Sequence, residues 1–154
     1  MPDTSVQLSD DIFAELRKID TPTITNVVAT YPKNPLCLGL YNPWTENWYS
    51  DSTIRCLYPE MGPIVGYAVT CVYGLPDPNF AGRLSFMDVA PGDLIHMDEN
   101  GAVKFPVEHA PAIVKNARAM LDDEAHRLVL LRKARTAAEV RAASSGGAYT
   151  PKKG

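Results

Sequence analysis

The apolar positions of this chain change period along its length, and each change marks an element. Ile12, Leu16 and Ile19 recur at helical spacing behind Ser9 and Asp10, which predicts a short first helix with its N-cap in that pair. Thr21-Pro22 ends it and opens a second helix, with Thr21 as N-cap, Pro22 at the first helical position and TITNVVAT following. From Tyr31 the periodicity is lost. YPKNPLCLGLYNPWTENWYSDS, rich in Pro, Asn and aromatics, reads as a surface loop or a partner-facing segment.

Strand patterns come next. TIRCLY, Thr53 to Tyr58, reads as a strand that PEMGP breaks, and IVGYAVTCVYG, Ile64 to Gly74, is so uniformly apolar or β-favouring that it predicts a strand buried on both faces. LPDPNFAGRLSFMDV is an irregular connection. Pro91-Gly92 fits the centre of a type II turn, because Gly supplies the positive φ. Leu94 to Met97 and Ala102 to Phe105 then form a hairpin through Asp98-Glu99-Asn100-Gly101, where Asn-Gly is the turn signal. Alternation puts Ile95 and Met97 on one face of their strand and Val103 and Phe105 on one face of theirs, with His96 and Lys104 pointing the other way.

From Glu108 to Arg132 the period is helical again. Ile113, Ala117, Met120, Leu121, Leu128 and Leu131 make the apolar stripe, and Pro111 suits the first turn. The helix should pack on the sheet through Ile113, Ala117, Leu121 and Leu128 and fade in KARTAAEVRAAS. These elements predict one mixed α/β domain over residues 1–143 and a loose tail over 144–154.

Composition narrows the class without choosing a function. The 154 residues are 45% hydrophobic and 21% charged, enough for one domain with a real core. A net charge of −3 argues against general nucleic-acid binding. No apolar run approaches a membrane span and MPDTSVQLSDD does not read as a signal peptide, so the expected compartment is the cytoplasm. Cys37, Cys56 and Cys71 lack metal-type spacing and read as buried reduced thiols. GxxxxGK[ST], GxGxxG and GxSxG are all absent.

The candidate chemistry is concentrated in PGDLIHMDENGAVKFP. Asp93, Asp98 and Glu99 could hold a hard cation directly or through water, or could be a turn cap and two solvated turn residues. His96 is either an acid/base group or a structural strand histidine. His109 and His126 stand 17 residues apart, too far for a shared metal, and read as surface groups. Tyr31, Tyr41, Trp44, Trp48 and Tyr49 could line a pocket or a subunit contact, or pack on their own domain. From Arg127 onward seven Lys or Arg face one acid, Glu139, which is a weak anionic contact surface or a solvated helix face.

LRKIDTPTITNVV, MGPIVGYAVTCVYGLPDP and APGDLIHMDENGAVKFPVEHAPAIVKNARAM resemble, in that order, three segments of the RraA-like family, which includes the regulator of ribonuclease E activity A and the 4-hydroxy-4-methyl-2-oxoglutarate aldolases. The resemblance runs from Leu16 to about Arg132. It implies an α/β/β swivelling-domain fold and a ring-shaped homotrimer. It also implies a divalent metal, Mg²⁺ or Mn²⁺, that chelates a small 2-keto acid and stabilises a pyruvate enolate as a C–C bond breaks. Asp98 or Glu99 would then help hold metal-bound water in a neighbouring subunit.

The chain departs from that family in its middle. Relatives carry a long central segment with a glycine loop and an Arg-Asp pair, in which the arginine clamps substrate and the aspartate holds the metal. Here Pro78 and Pro91 are separated by only twelve residues, and no Arg-Asp dipeptide occurs anywhere. Arg83 lies in this junction without inheriting the clamp's role, and Asn26 stands where many relatives show an aspartate. Three readings follow: an active pyruvate aldolase or decarboxylase, a non-catalytic relative that binds or assembles, or a product of a truncated gene.

Overall fold

A computed structural model describes residues 7–31, 34–50, 57–68 and 89–145. It contains α1 (Asp10–Leu16), α2 (Thr21–Val28), β1 (Ile64–Tyr67), β2 (Leu94–Asp98), β3 (Gly101–Phe105), α3 (Ala110–Lys133) and α4 (Ala137–Ser145), with 3-10 turns at Pro59–Met61 and Val107–His109. The class is mixed α/β: the strands form an antiparallel sheet in the order β1-β2-β3, α1 and α2 pack on it, and α3 packs on α1 and α2 rather than chiefly on the sheet as the sequence pattern predicts. Leu16, Ile24, Val27, Val28, Leu94, Val103, Phe105, Ile113 and Ala117 are fully buried between them.

The hairpin forms where the Asn-Gly signal lies. Its register pairs Asp98 with Gly101 and His96 with Val103, and only Glu99 and Asn100 form the loop. Gly101 has φ +133°, and Asn100 N–H donates to Asp98 Oδ1 at 2.7 Å, so the aspartate also stiffens the turn. Directly opposed residues in an antiparallel pair share a face. Leu94, His96 and Asp98 therefore lie with Phe105, Val103 and Gly101 on the helix-covered side, while Ile95 shares the other side with Lys104. This corrects the sequence expectation that His96 and Lys104 point the same way. The Pro91-Gly92 turn is as expected, with Gly92 at φ +92° and Asp93 N–H donating to Ala90 O at 3.1 Å.

Two strand expectations change. In β1 only Val65 is buried; Ile64 and Tyr67 are exposed, so this part of the Ile64–Gly74 stretch is covered on one face. The rest of that stretch beyond Ala68, and Thr53–Cys56 of the other expected strand, lie outside the described residues, as do Cys56, Cys71 and Arg83. The long aromatic stretch returns to the body. Leu38 and Leu40 N–H donate to Val27 and Val28 O at 2.7 and 2.9 Å, and Ser50 N–H reaches Ala102 O at 2.8 Å beside a Tyr49–Val103 bridge. Its backbone thus satisfies both the end of α2 and the free side of β3.

α3 starts and ends within two residues of expectation, but its packing stops early. Ala110, Ile113, Val114, Ala117 and Met120 are buried; Leu121 and Leu128 are exposed at 36% and 52%. The stripe continues past the end of the body, so Leu121 and Leu128 do not hold the helix to the sheet. In dilute protein Leu121→Asp is expected to shift unfolding free energy by no more than about 0.5 kcal/mol, the range for exposed sites. A urea midpoint lowered by several times that amount would put Leu121 back in the core. The Ala-rich segment does not fade: Thr136 Oγ1 accepts from Glu139 N–H at 3.2 Å, while Glu139 accepts from Arg135 and Thr136 N–H at 2.6 and 3.0 Å. This capping box starts α4, and the T-x-x-E spelling that marks it was readable in the sequence.

Candidate functional site

Among the described residues, the buried side chains of Thr21, Thr23, His96 and Asp98 lie together where α2 begins. A helix starts with N–H groups that have no internal acceptor. Here Asp20, not Thr21, is the N-cap, and its carboxylate accepts from Thr23 N–H at 3.0 Å. Pro22 carries no N–H. Thr21 N–H, another open donor, reaches Asp98 Oδ2 at 2.6 Å across 77 residues of sequence. Placing Thr21 at the first helical position moves Pro22 to the second, where its missing donor again costs nothing.

His96 completes the joint. Its Nε2–H donates to Leu16 O at 3.1 Å, which leaves Nδ1 to accept from the Thr21 hydroxyl at 2.9 Å. Burial lowers its pKa; the Leu16 carbonyl, Asp98, the Ile19 carbonyl and Asp20 pull the other way without reversing the shift. The hydroxyl–imidazole distance is that of a nucleophile and its base. Yet Thr21 is 4% and His96 0% exposed, so the pair is buried in the joint. Thr21, His96 and Asp98 together fasten the α1–α2 corner to the hairpin.

Beside this joint a cleft of about 250 Å³ opens, lined by Thr21, Thr25, Asn26, Tyr49, Ser50 and Asn100 among others. Two of its hydroxyls are engaged: Thr25 Oγ1 donates to Thr21 O at 2.8 Å, and Ser50 Oγ accepts from Ala102 N–H at 2.8 Å. Ser50 and Tyr49 reach this place through a β-bridge that no periodicity in their loop foretold.

The acidic residues of the hairpin do not act as a group. Asp98 is 2% exposed and faces inward with both oxygens accepting backbone N–H, whereas Glu99 is exposed on the loop. The solvated-turn reading therefore holds for Glu99 alone. Asp93 caps its own turn by accepting from Ala90 N–H at 3.0 Å and pairs with Lys104 at 3.3 Å. Among the described residues no three His, Cys, Asp or Glu side chains converge on a common point that could hold a metal. Each Asp98 oxygen already accepts one backbone N–H, Oδ2 from the start of α2 and Oδ1 from the hairpin turn. His109 ends the turn before α3 and His126 lies exposed on α3, apart from each other and from His96.

The aromatic residues divide. Trp48 is buried, stacked on Tyr41 at 5.5 Å and edge-on to Tyr49 at 4.9 Å, and Lys104 Nζ sits 5.3 Å from the Tyr41 ring centre. Burial, then Asp93, Glu46 and Glu108, push the Tyr41 hydroxyl up to about 12, which keeps it protonated. Trp44 and Tyr31 face solvent. Cys37 is half-buried rather than buried; burial raises its pKa, and its thiol donates to Asn26 O at 3.1 Å. No protein-family model, curated protein or solved structure matches this chain. No helix among the described residues is long and apolar enough to cross a membrane.

Proposed function

We propose that this chain is a non-catalytic RraA-like protein that acts in the cytoplasm by binding or assembling. On this reading it keeps the scaffold of the α/β/β swivelling-domain fold and has lost the metal-dependent aldolase and decarboxylase chemistry. The observation that carries the reading is the use made of Asp98: of the two acidic residues that the resemblance points toward metal-bound water, Asp98 is engaged at the start of α2 and in its own turn, and Glu99 stands apart from it on the exposed loop. The missing Arg-Asp dipeptide supports it from the sequence side. Lewis-acid cleavage of a 2-keto acid needs a fixed ion and a fixed carboxylate together, and such positioning alone is worth about 7–11 kcal/mol. The partner is then a protein surface, another copy of the chain included, rather than a small 2-keto acid, and neither nucleic acid nor membrane is expected.

The test is oxaloacetate decarboxylation by purified protein in Mg²⁺ or Mn²⁺. The expected rate equals the metal-only background. Turnover above background that Glu99→Gln abolishes would overturn the proposal, and it would make the hairpin part of a working metal site.

A further inference from the structure

Asn100-Gly101, the pair that turns the hairpin, also sets a reactive carboxamide beside an unshielded backbone nitrogen. An asparagine carboxamide is open to attack by the nitrogen of the next residue. A bulky side chain on that residue hinders the attack, and a hydrogen bond to the carboxamide restrains it. Every other asparagine of the chain precedes a larger residue: Asn34 and Asn42 precede Pro, which has no N–H, Asn26 Val, Asn47 Trp, Asn79 Phe and Asn116 Ala. Asn116 also donates to Leu36 O at 2.9 Å, and the side chains of Asn34 and Asn42 accept from backbone N–H. Asn100 is exposed, and among the described residues its carboxamide has no hydrogen-bond partner.

The turn itself keeps that glycine in place. At φ +133° a residue with a Cβ would be strained, so no bulkier neighbour shields Asn100 without disturbing the hairpin. Ala102 and Lys104 N–H point to Ser50 Oγ and Trp48 O, so alternation turns Gly101 N–H toward Asp98, its partner in the register. That pair is the last of the ladder, with only Glu99 and Asn100 beyond it. It opens at small cost and frees the nitrogen.

We propose that Asn100 is a site of spontaneous deamidation, and that its isoaspartate product loosens the joint at the start of α2. The Gly101 nitrogen, its proton lost to hydroxide, bonds to Asn100 Cγ. The Cγ–Nδ2 bond breaks, and ammonia leaves with a proton from water. Such a ring closure within one chain needs no encounter between reactants. Water then opens the cyclic imide. Breaking the Cγ–nitrogen bond gives an ordinary aspartate. Breaking the bond from nitrogen to the main-chain carbonyl carbon leaves the chain running through Cγ, with one more carbon in its backbone. Loop length sets the register of a hairpin, so the added carbon is felt where Asp98 faces Gly101. Asp98 holds Asn100 N–H with Oδ1 and Thr21 N–H with Oδ2, and a displaced turn pulls on both bonds. This inference does not rest on the family reading.

Peptide mapping of the full chain, aged in warm, mildly alkaline buffer beside a His96–Lys104 peptide as the unstructured reference, tests it. Isoaspartate at residue 100 is expected to form within about tenfold of the peptide's rate, since a terminal ladder pair frays readily. Its signature is the mass change of an NH₂-to-OH exchange together with enzymatic methylation of the isoaspartyl carboxyl. Asn100→Gln should abolish it. No isoaspartate at residue 100 by the time the peptide has fully converted overturns the proposal. The isoaspartate form, separated by its added charge, should melt about 3–6 °C below wild type, the effect of losing a buried hydrogen bond in a chain of this size. Asn100→Asp adds the same charge without the extra carbon and should melt within about 2 °C of wild type. In an Asp98→Ala background, where the joint is already lost, isoaspartate should cost no more than Asn100→Asp does. An isoaspartate form that melts with Asn100→Asp overturns the link to the joint, as does an undiminished drop in the Asp98→Ala background.

Discussion

Asp98→Ala is expected to cost about 2–4 kcal/mol of unfolding free energy, whereas its neighbour Glu99→Ala should stay within about 0.5 kcal/mol. The two residues are adjacent, carry the same charge and look equivalent in the sequence. Their environments differ. Asp98 is the acceptor for Thr21 N–H, which is buried and has no other partner at the start of α2. Alanine would leave that donor desolvated, and a buried unmade bond to a charged acceptor is the more costly kind. The second bond, to Asn100 N–H, is nearer the surface, where water can replace the lost oxygen at small cost. The negative charge also lies at the positive end of a helix dipole. Asp98→Asn keeps the shape and one acceptor oxygen, so it should fall between wild type and alanine. Urea midpoints at fixed protein concentration and unchanged slope measure these differences. Equal midpoints for Asp98→Ala and Glu99→Ala would show that Asp98 does not hold the corner.

His96→Leu should cost about 2–3 kcal/mol at pH 7.5 and should also remove a pH dependence. The cost comes from the Leu16 carbonyl and the Thr21 hydroxyl, both left buried without the ring, with some return from the added apolar side chain. The pH effect follows from the lowered pKa of the buried ring, which burial causes and which Asp98 and Asp20 oppose. The unfolded chain takes up this proton near pH 6.5, while the folded one takes it up only at lower pH. Between those values the unfolded state binds more protons, so stability falls as pH falls. Above pH 6.5 the group contributes its full stabilisation. Below it the loss is at most about 1.4 kcal/mol per pH unit, until the folded-state ring itself protonates. His109 and His126 are present in both proteins. The difference between the wild-type and His96→Leu stability curves therefore isolates His96, and parallel curves from pH 7.5 to 5.5 would contradict its burial in neutral form.

Much of the architecture is local chemistry and was legible along the chain. Pro91-Gly92 and Asn100-Gly101 turn the backbone where positive φ is needed, and Pro22 and Pro111 sit in first turns, where a missing N–H costs nothing. The buried residues of α3 follow a 3.6-residue period up to Met120. Periodicity shows which side of a helix is apolar but not how far the covering body extends, so only the tertiary structure separates Met120 from Leu128. The same limit hid the joint. Thr21, His96 and Asp98 come from parts of the chain some 75 residues apart, and no spacing rule links a helix N–H to a strand carboxylate at that distance. Alternation along β2 put His96 and Asp98 on one face with Leu94. Which face is covered was decided by α1 and α2 closing over it, because their open N–H, hydroxyl and carbonyl groups needed those side chains as partners.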